Sequence, residues 1–145
     1  MKVNDKVKVR IYGMDGKAIK TNNFDEVFTV CEENGTLGIY WAGEFAPFES
    51  FCNTKFLKQI ETLEIIGKRW FQKSFGNTYH SATVIINGEE LKSDILYGYG
   101  SHYLTTAAEL LKTNGFDIPD DNGEAYALMT KYEHTAIDVK RKKDL

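Results

Sequence analysis

Cysteine is scarce in this chain: Cys31 and Cys52 are its only two, and neither belongs to a CxxC or Cys/His cluster. That spacing excludes a zinc-finger ligand set and a disulfide framework. Both thiols have apolar neighbours and read as core groups rather than nucleophiles. Histidine is nearly as rare, with His80, His102 and His134 alone. No HxxxH occurs, and the Ser-Ala after His80 and the Thr-Ala after His134 do not complete the HxT/S pair of two-histidine phosphoesterases. Each histidine therefore reads as structural or as the edge of a pocket, with no metal site, no cofactor and no catalytic residue expected. Long apolar runs are missing too. Nowhere do about eighteen apolar residues follow one another, and the opening MKVNDKVKV is charged with no apolar h-region. The expectation is a protein of the reducing cytosol, neither exported nor anchored in a membrane. Nor is there a strong excess of one charge: eighteen basic residues face twenty-one acidic ones, a net charge of −3. A surface built throughout to grip nucleic acid is thereby excluded, although a local basic patch is not.

What is present is an ordinary globular composition, 42% hydrophobic and 27% charged, with an aromatic share of 13% on the high side. KVKVRIY at 6–12 alternates as a strand and ends in the turn GMDG. FDEVFTVCEE at 24–33 and TLGIYWA at 36–42 meet across Asn34-Gly35, a dipeptide that accepts positive φ at both central turn positions. After FAPFESF and a polar stretch, TLEIIGKRWF at 62–71 reads as a further strand. Short strands without helical period predict an SH3-like small barrel over residues 1–66, with Trp41, Phe45, Phe48 and Phe51 mostly in its core.

The rest, 67–145, has another rhythm. YHSATVII at 79–86 and EELKSDILYG at 89–98 flank a second hairpin turn, Asn87-Gly88. From His102 to Asn114, Tyr103, Leu104, Ala107, Ala108, Leu110 and Leu111 paint one helical face, with Gly100-Ser101 as N-cap and Asn114-Gly115 as C-cap. Pro119 and the DDNG after it break the chain. A short helix over 124–132 and a last strand over 134–142 complete an α+β fold, an antiparallel sheet packed by one main helix in the order β-β-β-α-(α)-β.

Asn4-Asp5-Lys6-Val7, the strand pair VFTVCEENGTLGIYW and the exit LEIIG at 63–67 together resemble the small barrel of YopX-like phage proteins. RWF at 69–71, GNTYHS at 76–81, YGYG at 97–100, the Ala/Leu-rich helix and DVKRKKDL resemble an accessory module of phages and mobile elements. That resemblance implies a setting, the cytoplasm of an infected or element-carrying bacterial host. Many such products counter immunity by capturing nucleotide signals or blocking a defence enzyme. Gly38-Ile39-Tyr40 matches the first triplet of GIY-YIG nucleases, but the second triplet and the catalytic Arg and Glu pattern are absent.

Functional residue types are densest in Asn77–Ser81 and YGYGSHY at 97–103. Pairing about Asn87-Gly88 would set Tyr79 and His80 opposite Leu96 and Ile95, bringing both clusters to one sheet end. Tyrosines there could stack bases, and helix-start N–H groups could receive a phosphate. Arg69, Lys68 and the basic run Lys140–Lys143 could neutralise its charge. The predicted ligand-binding set is Arg69, Asn77, Tyr79, His80, Tyr97, Tyr99, Ser101, Tyr103 and Arg141, for a nucleotide-like small molecule held without turnover. An alternative reading makes YGYG a bulge packed under the helix, with the tyrosines as half-buried core. Two other functions stay open. One is a protein inhibitor of a host defence enzyme, using the acidic residues Asp117, Asp120, Asp121 and Glu124 as a nucleic-acid mimic or an aromatic surface. The other is an enzyme using His80 or His102. A homo-oligomer sharing one site between subunits is compatible with the first.

Overall fold

Alternation makes KVKVRIY a strand, β1 (Lys6–Tyr12), with Val7 and Val9 buried on one side. In the computed structural model, which describes residues 1–145, β1 opens a mixed α+β fold of several sheets and two helices. The chain forms two compact units, one of residues 1–59 with 115–117, the other of residues 60–114 with 118–145. No helix is long and apolar enough to cross a membrane.

In the first unit, β2 (Ala18–Ile19) and β3 (Val27–Thr29) flank one edge of β1. A three-stranded antiparallel meander follows, β4 (Cys31–Glu33), β5 (Thr36–Trp41) and β6 (Glu44–Pro47). The chain then returns as β7 (Thr54–Lys58), antiparallel to β1 on its other edge. Asn34-Gly35 makes the expected turn, at φ 52 and 79. Val7, Val9, Phe28, Val30 and Ile39 form the core, with Trp41, Phe48 and Phe51 packed against it as predicted, whereas Phe45 lies outside that cluster, edge-on to Tyr40.

Neither sheet closes on itself, so where an SH3-like small barrel was expected over residues 1–66 the unit holds two small open sheets. The reason lies at Val30. The expected strand 24–33 is interrupted there, because Val30 is fully buried and spends both backbone groups on the loop before β1, donating to the Asp5 carbonyl and accepting from Asn4 N–H. Cys31 is half-buried, but Cys52 is exposed and is not the core thiol its neighbours suggest.

The second unit is one sheet. β8 (Leu63–Gln72) pairs along its whole length with β9 (Asn77–Ile86), so residues 63–66 share a strand, and a sheet, with 67–72. β10 (Glu89–Lys92) and β11 (Leu96–Tyr97) run along the far edge of β9. α1 (His102–Thr113) and α2 (Asn122–Thr130) lead to β12 (Glu133–Val139). β12 lies parallel to β8, so the sheet is mixed and not antiparallel as predicted. Two helices separate β11 from β12, and a crossover of that length is what returns a strand in parallel. Asn114 caps α1 and Gly115 follows at φ 85, as read from the sequence.

One sheet face carries Ile65, Gly67, Ala82, Val84 and Ile86 against the buried face of α1, where Tyr103, Leu104, Ala107 and Leu111 lie. The other face carries Trp70, Tyr79 and Tyr97 in a single cross-strand row, with ring centroids 5.9 and 5.8 Å apart. The residues after β12 cross this second face. Lys142 Nζ lies 6.0 Å from the Tyr79 ring centre, and Lys92 Nζ donates to the Leu145 carbonyl at 3.0 Å.

The hairpin register needs one correction. Lys92 pairs with Thr83, whereas Leu96 pairs with His80 and Tyr97 with Tyr79, so one residue more is used on the β10–β11 side. Ser93 causes the slip: its hydroxyl accepts from Ala82 N–H at 2.8 Å, taking over a ladder bond while Asp94 and Ile95 pass by unpaired. A slip of one residue reverses the faces, so Tyr97 joins Tyr79 and Leu96 takes the helix side.

Candidate functional site

Arg69 leaves β8 on the helix side of the sheet. Its Nε donates to Asp138 Oδ1 at 2.8 Å and its Nη1 to the Gly100 carbonyl at 3.0 Å, tying β12 and the start of α1 to β8. Phe71, two residues further along the same face, is 55% exposed beyond the end of the helix. With Lys73, Thr78, Tyr99 and Lys140 these residues surround an open hollow of about 680 Å³. A second hollow of about 360 Å³ lies on the other side of Tyr99, lined by Tyr97, Ser101, His102, Thr105 and Tyr126. Both volumes fall in the range of small-molecule sites.

Of the predicted ligand-binding residues, Arg69 and Tyr99 line the larger hollow, and Tyr97, Tyr99 and Ser101 the smaller. The others lie elsewhere. Tyr79 belongs to the aromatic row on the opposite sheet face, and Asn77 pairs with Gln72 beside the β8–β9 turn. Arg141 is bound to Asp144 at 3.2 Å and lines neither hollow. Tyr103 and His80 are buried under α1, at 5% and 1% exposure, because both point from the helix and sheet faces that form the core. Burial pushes the Tyr103 hydroxyl above its ordinary range, against the opposing charge of Arg69.

Ser101 stands at the N-cap position of α1, but its side chain makes no capping bond; its hydroxyl shares a 2.8 Å hydrogen bond with Tyr126 Oη. Phe71, Lys73 and Tyr126 line these hollows without a signal that singles them out in the sequence, whereas Thr78 belongs to the Asn77–Ser81 cluster. Two-residue alternation does put Phe71 on the side of Arg69.

His80 is a structural group. Its Nδ1 lies 3.2 Å from the Gly98 carbonyl, which can only accept, so Nδ1 carries the proton and Nε2 receives the Thr106 hydroxyl at 2.6 Å. Burial holds its pKa below the ordinary value, the Gly98 hydrogen bond opposing and the nearby His102 adding. A folded pKa lower than the unfolded one means that the unfolded chain takes up more protons as the pH falls. This contribution to stability is complete above about pH 6.5 and shrinks below it. Thermal melts of the wild type should therefore fall more steeply below about pH 6.5 than those of His80→Gln. Parallel curves would show that His80 is not the group responsible.

The acidic run is used internally. Asp117 lies 3.9 Å from Arg10, Asp120 lies 2.9 Å from Lys112, and Asp121 caps α2 by accepting from Glu124 N–H at 2.9 Å. No family model, curated protein or solved structure matches the chain.

Proposed function

We propose that this chain binds a nucleotide or nucleotide-derived ligand without converting it, at the hollow beside Arg69. One observation carries the reading: three cations, Arg69, Lys73 and Lys140, against the single carboxylate of Asp138, gather with two exposed rings, Phe71 and Tyr99, around one cavity in a chain of net charge −3. Guanidinium and ammonium groups suit phosphate oxygens, and an exposed ring gives a base a stacking surface worth about 1–3 kcal/mol. Binding without turnover fits a lining of cations, rings and the hydroxyls of Thr78 and Tyr99, in which the carboxylate is already held by Arg69. The setting we propose is a phage or mobile-element accessory protein acting against host defence in the cytoplasm, supported by the resemblance of GNTYHS, YGYG and DVKRKKDL. We read the first unit as an SH3-like barrel left open, supported by two small sheets sharing one apolar core. Inhibition of a host enzyme by nucleic-acid mimicry has less support, because Asp117, Asp120 and Asp121 have partners within the chain.

Native mass spectrometry and titration calorimetry with a panel of linear and cyclic nucleotides test the reading. A nucleotide should be retained at unchanged mass, and affinity should fall with added salt. The double variant Lys73→Gln/Lys140→Gln should bind at least about tenfold more weakly, since each lost charge-assisted contact is worth about 1.5–3 kcal/mol. Retention of no nucleotide, or equal binding by the double variant, would overturn the proposal.

A further inference from the structure

Tyr99 is the wall between the two hollows, and the chain around it is shaped to hold it there. Gly98 at φ 152 and Gly100 at φ 62 both adopt backbone that other residues rarely take. A Cβ on Gly98 would come within 2.7 Å of the His102 ring, so only glycine lets this loop lie against the start of α1. The Tyr99 ring is left 77% exposed and borders both cavities.

The hollows differ in chemistry. The larger one holds all three cations, whereas the smaller one has no lysine, arginine or carboxylate and offers His102 and the hydrogen-bonded hydroxyls of Ser101 and Tyr126. The first suits phosphate with a base beside it, between Phe71 and Tyr99. The second suits an uncharged base or sugar, whose donors and acceptors can exchange hydrogen bonds with the two hydroxyls. A mononucleotide occupies only one of these environments. Resting on the nucleotide reading above, we infer that the ligand is a dinucleotide, two nucleosides joined through phosphate, with one base on each side of the Tyr99 ring and the phosphate facing Arg69 and Lys140. Neutral lining in the smaller hollow places the charge of the ligand at the other end, and an exposed ring has two faces on which bases can stack.

Calorimetry with 5′-AMP, a linear diadenosine phosphate and a cyclic diadenylate distinguishes the cases. At least one of the two dinucleotides should bind at least about tenfold more tightly than 5′-AMP, one per site, a difference matching the stacking of one additional base. Tyr126→Phe should reduce that advantage several-fold while leaving 5′-AMP binding unchanged, and Tyr99→Ala should weaken both. Because Tyr126 lies at the surface, circular dichroism melts of Tyr126→Phe should match the wild type and so separate a binding effect from a folding one. Equal affinity for 5′-AMP and both dinucleotides would overturn the dinucleotide inference and leave the nucleotide reading standing. Failure of all three to bind, together with the wider panel, would overturn both.

Discussion

Alanine at position 67 is expected to destabilise the second unit by about 1–3 kcal/mol, the range for overfilling a packed core. Gly67 lies in β8 directly beneath α1, and a Cβ built there falls 2.3 Å from Cγ of Tyr103, with two more ring atoms inside 3 Å. The ring is 5% exposed and cannot swing into solvent without leaving the helix–sheet interface. The melting temperature should drop by about 4–8 °C per kcal/mol for a domain of this size class. Circular dichroism would show it. In the double variant Gly67→Ala/Tyr103→Leu the loss should be smaller than the sum of the two single losses, because the shorter side chain makes room for the methyl group. Additive losses, or an unchanged melting temperature in the single variant, would show that the interface has slack.

The second large effect falls in the other unit. Gly38 lies in β5 opposite Pro47 of β6, and a Cβ there would sit 2.3 Å from the Ala46 carbonyl oxygen and 2.8 Å from Pro47 Cα. These are backbone atoms, which no rotamer change can move. Alanine at position 38 must push β6 away from β5 next to the fully buried Ile39, at a cost expected to reach about 3 kcal/mol or more. The two tryptophans divide between the units, Trp41 in β5 and Trp70 in β8, so a Trp70→Phe background leaves Trp41 as reporter of the first unit. Its fluorescence should show unfolding at a lower temperature in Gly38→Ala. Coincident melting curves would refute the close approach.

Local signals carried far in the sequence. Asn34-Gly35 and Asn87-Gly88 announce their turns because few dipeptides accept two positive φ values, and both take them. The apolar stripe from Tyr103 to Leu111 and the glycine after Asn114 give α1 almost to the residue. Non-local partners were the part that could not be read. Ala42-Gly43 turns at φ 51 and 82 although alanine gives no hint of it, the meander holding it there. The parallel placement of β12 depends on where α1 and α2 deliver the chain, which no strand pattern encodes. The site shows the same division. Thr78 of the first cluster and Tyr99 of the second meet at the hollow beside Arg69, but Tyr99 and Tyr103, four residues apart, end in opposite environments. Tyr103 stands on the apolar helical face and meets Gly67 of the sheet, whereas Tyr99 precedes the helix and stays outside that face.

The slipped register at Ser93 also bears on behaviour in concentrated solution. A straight strand at the rim of a sheet is a template for pairing with other molecules, and proteins blunt such rims by shortening or kinking them. Here the rim is cut into pieces of four and two residues, β10 and β11, with Asp94 in the gap between them. A foreign strand finds no long ladder to extend on that side, so copies of this chain that associate there must do so through side-chain surfaces.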